Sequence, residues 1–146
     1  MTIRKMITDD YDSVYSLWIN TPGMGLNTTD DSREGIAKYL ARNPDTCFVA
    51  ENGGEIIGVI LSGHDGRRGF IYHTAVKISE RNNGIGRALV ESAITALKNE
   101  GVTKVALVAF TKNEIGNTFW ENLGFSARTD LTYRTQNIIP LERIDT

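Results

Sequence analysis

The sequence predicts a mixed α/β fold, one sheet of parallel and antiparallel strands with helices packed on it, and three observations carry that expectation. Strand-like and helix-like patterns alternate along all 146 residues, with no internal repeat and no linker rich in Pro, Gly or Ser. Three strand-like runs in the middle are separated only by short turns, which makes that part of the sheet antiparallel. A long amphipathic helix pattern then divides two strand-like runs, so the second returns parallel to the first. With 40% hydrophobic residues the chain can bury a core of its own, and a single domain over residues 1–146 is expected.

The first element is a short strand, "TIRKM". Thr8 followed by Asp9 and Asp10 reads as a helix cap with acids in the first turn, opening a helix from about Asp9 to Asn20 that ends before Pro22 and Gly23. Val14, Leu17 and Trp18 share one side of that helix. The segment "NTPGMGLNTTDD" is a loop, and Asp31-x-x-Glu34 has the spacing of a capping box for a second helix reaching Arg42. "TCFVAEN", "EIIGVILSG" and "GFIYHTAVKI" are the three consecutive strands, joined at "NGG" and "HDGRRG". Ile85, Ala88, Leu89, Ala93, Ala96 and Leu97 recur at three- and four-residue steps and give a helix stopped at Gly101. "VTKVALVAF" is an apolar strand, "NEIGNTFWENLGF" a helix ended by Gly124, and "LTYRTQNI" alternates like a final strand. The order is β-α-α-β-β-β-α-β-α-β.

The bulk properties exclude several function classes. A net charge of −2 with a pI near 5.7, and no run of five like charges, lacks the electropositive footprint of a nucleic-acid binder. Cys47 is the single cysteine, so no internal disulfide forms and a reducing, cytoplasmic home is expected; its apolar setting in "TCFVAE" suits a buried inert thiol. No signal-peptide pattern opens the chain and no apolar run approaches the roughly 20 residues needed to span a bilayer. His64 and Asp65 are too few to hold a metal, and no metal site is expected. The last strand, at a sheet edge, leaves a homodimer open.

"SERNNGIGRALVES" is the stretch that points to chemistry. A strand ends near Ile78 and a helix begins near Gly84 or Ile85, so unpaired N–H groups and the positive end of a helix dipole face the gap between them. Glycines at 84 and 86 let an anion approach the main chain, and Arg81 and Arg87 add charge. The alternative is a tight strand-to-helix turn with no ligand. A P-loop is excluded because no Gly-Lys-Ser or Gly-Lys-Thr occurs, and the dinucleotide fingerprint fails because Leu89 stands where its third glycine belongs.

In context, "HTAVKISERNNGIGRALVESAITALK" resembles the acetyl-CoA-binding motif of the GNAT family of N-acetyltransferases, in which a strand ending in Ala-Val leads into R/Q-x-x-G-x-G/A and a long helix. "NEIGNTFWENLGF" resembles the same family's N-x-x-A-x-x-L-Y-x-x-x-G-F, with Asn113, Gly116, Phe119, Gly124 and Phe125 at matching positions. The element order agrees from residue 2 to about 138. The resemblance implies the GNAT acyl-CoA N-acyltransferase fold, acetyl-CoA as co-substrate, and transfer of its acetyl group to a primary amine of a small molecule, an amino acid, or a peptide or protein, by direct attack on the thioester.

Residue by residue, the resemblance implies that the pyrophosphate sits on main-chain donors around Asn83, Gly84, Gly86, Arg87 and Ala88, with Arg81 and Arg87 adding charge. It implies that Val76 and Ile78 offer backbone groups to the pantetheine arm, that the Val76 N–H steadies the oxyanion, and that Asn113, Gly116, Phe119 and Trp120 flank the arm's other side. Trp120 replaces the family's tyrosine acid and cannot do its work, because an indole N–H is a poor acid; it is a wall of the thioester pocket or a core residue. The leaving thiolate's proton donor is therefore unassigned, with Tyr133 a candidate. For the base, Tyr72 and His73 are the candidates. Strict alternation puts them on opposite faces, Tyr72 sharing the face of Val76. Acceptor recognition is expected from the first two helices, the loop at 20–31 with Asp30, Asp31 and Glu34, and the turn carrying Asp65. A non-catalytic acyl-CoA-binding module and a site for another phosphate ligand are the competing readings.

Overall fold

Strands and helices alternate as the residue patterns require. The computed structural model describes residues 1–144; residues 145 and 146 of the span expected to form one domain lie outside the described residues. In chain order the elements are β1 (Thr2–Lys5), α1 (Tyr11–Ile19), β2 (Leu26–Asn27), α2 (Arg33–Arg42), β3 (Phe48–Asn52), β4 (Glu55–His64), β5 (Gly69–Val76), α3 (Ile85–Asn99), β6 (Val105–Ala106), α4 (Glu114–Asn122) and β7 (Arg143–Ile144), with single 3₁₀ turns at Thr8–Asp10 and Ile78–Glu80. The main sheet runs β1-β3-β4-β5-β6, and β2 pairs with β7 in a separate two-stranded sheet. The pairs β1/β3, β3/β4 and β4/β5 are antiparallel and β5/β6 is parallel, because turns join the former and α3 crosses over between the latter.

Each face of the sheet buries one apolar cluster. Val14 and Trp18 of α1 and Ile36 and Leu40 of α2 pack on Val49, Val59, Leu61 and Ala75. Ile85, Leu89, Val90 and Ala93 of α3 pack on Ala50, Ile57, Ile60 and Ile71 on the opposite face. The helical stripe read from the sequence is thus the buried face of α3. Truncation of the fully buried Leu89 to Ala is expected to cost about 2–5 kcal/mol.

Four local expectations are corrected. The first helix begins at Tyr11 after a 3₁₀ turn, and the group that closes its start is the Asp10 carboxylate, which accepts from the Ile7 N–H at 2.9 Å, in place of a Thr8 cap. Helix α2 is capped by Ser32, whose Oγ accepts from the Gly35 N–H at 3.0 Å; Asp31, one residue earlier, is buried and bonded elsewhere. The strand expected over "VTKVALVAF" pairs only at Val105 and Ala106. The final strand expected over "LTYRTQNI" does not form: a strand exists only where a ladder partner offers its backbone, and the ladder at this end of the chain joins Arg143–Ile144 to Leu26–Asn27 instead.

Candidate active site

The site begins where two parallel strands part. Gly69 pairs with Val105 and Phe70 with Ala106, after which β5 continues along β4 to Val76 while residues 107–110 leave the ladder. Lys77 donates its N–H to Ile57 O at 2.8 Å, and in an antiparallel ladder neighbouring residues turn their polar groups to alternate edges. Val76 therefore directs its N–H and C=O away from β4, into the opening that β6 has vacated. Its carbonyl accepts from Arg81 Nε at 3.3 Å, which folds the guanidinium back over the strand end.

The first turn of α3 starts at the same end. Gly84 is its N-cap with φ +79°, a left-handed conformation that suits glycine, and nothing lies within 4 Å of where its side chain would be. Ala88 N–H donates to Gly84 O at 3.0 Å as the helix ladder begins, so the N–H groups of Ile85, Gly86 and Arg87 have no intrahelical acceptor. Arg87, Asn82 and Asn83 are exposed beside them, Asn83 donating to Glu80 O at 3.2 Å, and Ile78 stands exposed in the preceding turn. This is an anion-receptive helix start, open to solvent, at one end of a backbone gap.

Helix α4 closes the other side. Asn113 caps it by accepting the Gly116 N–H at 3.0 Å, and Gly116 has no Cβ because one would lie 2.6 Å from Asn113 Nδ2. Phe119 reaches across to α3, where a Cβ on Gly86 would stand 2.9 Å from its ring. Trp120 packs edge-to-face with Phe119 and Phe125, ring centroids 5.0 and 5.1 Å apart, against the α3 face of the core. Trp120 is half-buried, with one side packed on the core cluster.

The structure separates two residues that the sequence put on one face. Val59 pairs with Ala75 but Leu61 with Tyr72, so His73 and Thr74 together oppose Ile60 as a β-bulge. The extra residue reverses the alternation: Val76 packs with the α3 cluster, while Tyr72 lies against Tyr39 of α2 with ring centroids 5.8 Å apart. Burial raises the Tyr72 phenol above its ordinary range, with Tyr133 and Asp30 adding to the shift, so it keeps its proton near neutrality.

His73 occupies the bulge with φ +40°, a strained value for a non-glycine residue. Its Nε2 lies 2.7 Å from Asp31 Oδ1, and the two side chains are 14% and 4% exposed. Sequence reasoning missed this pair, since Asp31 read as part of a cap and nothing local links residue 31 to 73. The adjacent buried Thr74 Oγ1 has no hydrogen-bond partner. His64, by contrast, is tied to the turn before β5, its Nε2 2.9 Å from Glu100 Oε1 and its Nδ1 accepting from the Gly66 N–H.

A five-stranded sheet that opens at one parallel pair, with a helix start beside the opening, sets free strand backbone groups next to an anion-receptive helix terminus. A profile of the acetyltransferase (GNAT) family matches residues 11–125, and the chain belongs to that family. An acetyltransferase of Photorhabdus laumondii is 33% identical over 128 residues, covering 88% of each chain. The fold is shared with Ard1 from Thermoplasma volcanium, with a TM-score of 0.74, 23% identity, and coverage of 86% of this chain and 82% of that one. It is shared also with a predicted acetyltransferase with acetyl-CoA from Clostridium acetobutylicum, with a TM-score of 0.71, 18% identity, and coverage of 92% and 95%. The chain is an acetyltransferase with acetyl-CoA as its acyl donor. Among the described residues no helix is long and apolar enough to cross a membrane.

Proposed function

We propose that residues 1–146 act as one catalytic domain that transfers the acetyl group of acetyl-CoA to a primary amine of a small molecule, an amino acid, or a peptide or protein. The observation that carries this reading is the pairing of the Val76 backbone with the first turn of α3 across the β5–β6 opening. The pyrophosphate takes the N–H groups of Ile85, Gly86 and Arg87, since the Ala88 N–H expected among its donors is already bonded to Gly84 O; Arg87 supplies charge, and Arg81 is placed by its bond to Val76 O. The pantetheine runs along Val76 and Ile78, and Phe119 and Asn113 bound the far side. The Val76 N–H is the donor for the oxyanion.

His73 is preferred over Tyr72 as the base, because the Tyr72 phenol holds its proton. Asp30, close enough to Tyr72 to act on its phenol, and the aromatic surface of Tyr72 are assigned to the acceptor, and Glu34 with them as an exposed acid at the start of α2. The test is calorimetric titration with acetyl-CoA of the wild type and of Arg87→Glu, an exposed position where charge reversal leaves the core untouched. Binding in the wild type that weakens about 10-fold or more in the variant supports the site. A panel of amines then reads transfer; tight binding with no CoA released to any amine would favour a non-catalytic acyl-CoA-binding module.

A further inference from the structure

We infer that Asp31 and His73 form a proton-accepting pair on the acceptor side of the site, with Asp31 as the positioning residue; this rests on the acetyltransferase reading above. A carboxylate only accepts, so the 2.7 Å contact requires the imidazole to carry its neutral-form proton on Nε2, which leaves the Nδ1 lone pair as the accepting position. Both partners are held from elsewhere in the fold. Asp31 Oδ2 accepts the backbone N–H of Asn27 at 2.8 Å, and the Tyr11 hydroxyl donates to the Asp31 carbonyl at 2.6 Å. His73 O accepts from Trp18 Nε1 at 3.0 Å while the two rings meet edge-on at 5.1 Å. Loop, α1 and strand converge on one imidazole.

The location gives this pair a use. His73 sits three residues before Val76 on the strand that borders the opening, in a bulge whose backbone is strained at that residue alone among the strand's residues. A histidine that only filled the core between α1 and β5 would need neither the buried carboxylate nor the left-handed backbone. The titratable groups around the pair are Tyr11 and Tyr15 of α1, Asp30 beside Asn27, Tyr72 on β5 at 6.1 Å between rings, and Arg33 over the Tyr11 ring at 4.9 Å.

In the step assigned to the pair, Nδ1 takes one proton from the acceptor's ammonium group, and the imidazolium is balanced by the Asp31 carboxylate. The freed amine lone pair forms the C–N bond at the thioester carbonyl carbon. When the tetrahedral adduct collapses, the C–S bond breaks and its electron pair leaves with sulfur. The second proton on nitrogen passes through solvent to the thiolate, and the imidazolium releases the first to water, giving amide, CoA thiol and one proton.

The chain has two histidines, so ¹⁵N-histidine NMR resolves His73 once His64→Gln identifies the other signal. The expected result is a wild-type His73 protonated on Nε2 in its neutral form, a preference lost in Asp31→Asn. With the best amine from the panel, Asp31→Asn and His73→Gln lower kcat about 10²- to 10⁴-fold at unchanged KM for acetyl-CoA, and Asp31→Glu recovers part of the loss. A wild-type proton on Nδ1, or a kcat within threefold of wild type in His73→Gln, overturns the pairing. His73→Gln keeps the kinetic arm decisive if Asp31→Asn fails to fold. Failure of the wild type to bind acetyl-CoA would instead remove the reading on which the pair depends, whereas normal binding and transfer with unchanged variant rates sinks the pair alone.

Discussion

The ring of Phe119 stands where Gly86 would carry its side chain, with a Cβ there falling 2.9 Å from Cε1 and 3.0 Å from Cζ. Gly86 is therefore fixed by helix-to-helix packing, whereas Gly84, with φ +79° and open space above it, is fixed by its backbone. Gly86→Ala is expected to lose about 1–3 kcal/mol by overpacking, and Phe119→Leu in the same chain to restore part of it. Gly84→Ala should lose about 1–2 kcal/mol with no such rescue. Urea unfolding of the wild type, the two glycine variants, Phe119→Leu and the two double variants checks this; equal rescue at both glycines would refute the distinction.

Arg4 ties the start of the chain to two acids. Its guanidinium meets Asp10 Oδ1 and Oδ2 at 2.9 Å each and Glu51 Oε2 at 3.0 Å. Burial alone would raise the Asp10 carboxyl, but the Arg4 bonds and the Ile7 N–H outweigh it and hold the group below its ordinary range. The folded state then binds that proton more weakly than the unfolded chain, so the stabilisation is present at neutral pH and is lost as pH falls below about 4 toward the lower folded value. Arg4→Ala should cost about 1–2 kcal/mol at pH 7, with the difference from wild type shrinking in acid. Chemical denaturation at pH 7 and pH 3 measures both, and a pH-independent difference would contradict the assignment.

Cys47 is fully buried, its Sγ 3.2 Å from Ser62 O, and burial pushes its thiol up to about 12. At pH 8 about one molecule in ten thousand then carries the reactive thiolate. Iodoacetamide labelling in native buffer should be at least 100-fold slower than in 6 M urea. Rapid native labelling would show that the segment leading into β3 opens locally.

What the sequence made legible was set by local chemistry. The hairpins around "NGG" and "HDGRRG", the α3 stripe, and the glycine-rich start of α3 each depend on residues a few positions apart, and each stands in the structure as expected. The bulge at His73 was not legible, because alternation assumes one residue per ladder step and only the partner strand shows that two residues oppose Ile60. That single insertion moved Tyr72 away from the face of Val76. Asp31 was misread for the same reason: its spacing to Glu34 fits a cap, while the imidazole it binds lies 42 positions away.

The segment over residues 131–138 shows how far a period-two pattern can mislead. "LTYRTQNI" alternates well, yet Leu131 is 62%, Tyr133 69% and Ile138 98% exposed, with no ladder along it. A side chain already in water loses no burial when it becomes polar, so Ile138→Asp should change stability by no more than about 0.5 kcal/mol. Were the segment a packed strand, the same change would bury a charge beside the sheet and cost several kcal/mol. Thermal and urea unfolding of Ile138→Asp decide between these. Leu89→Asp, in the fully buried α3 face, serves as the contrast that must unfold the protein.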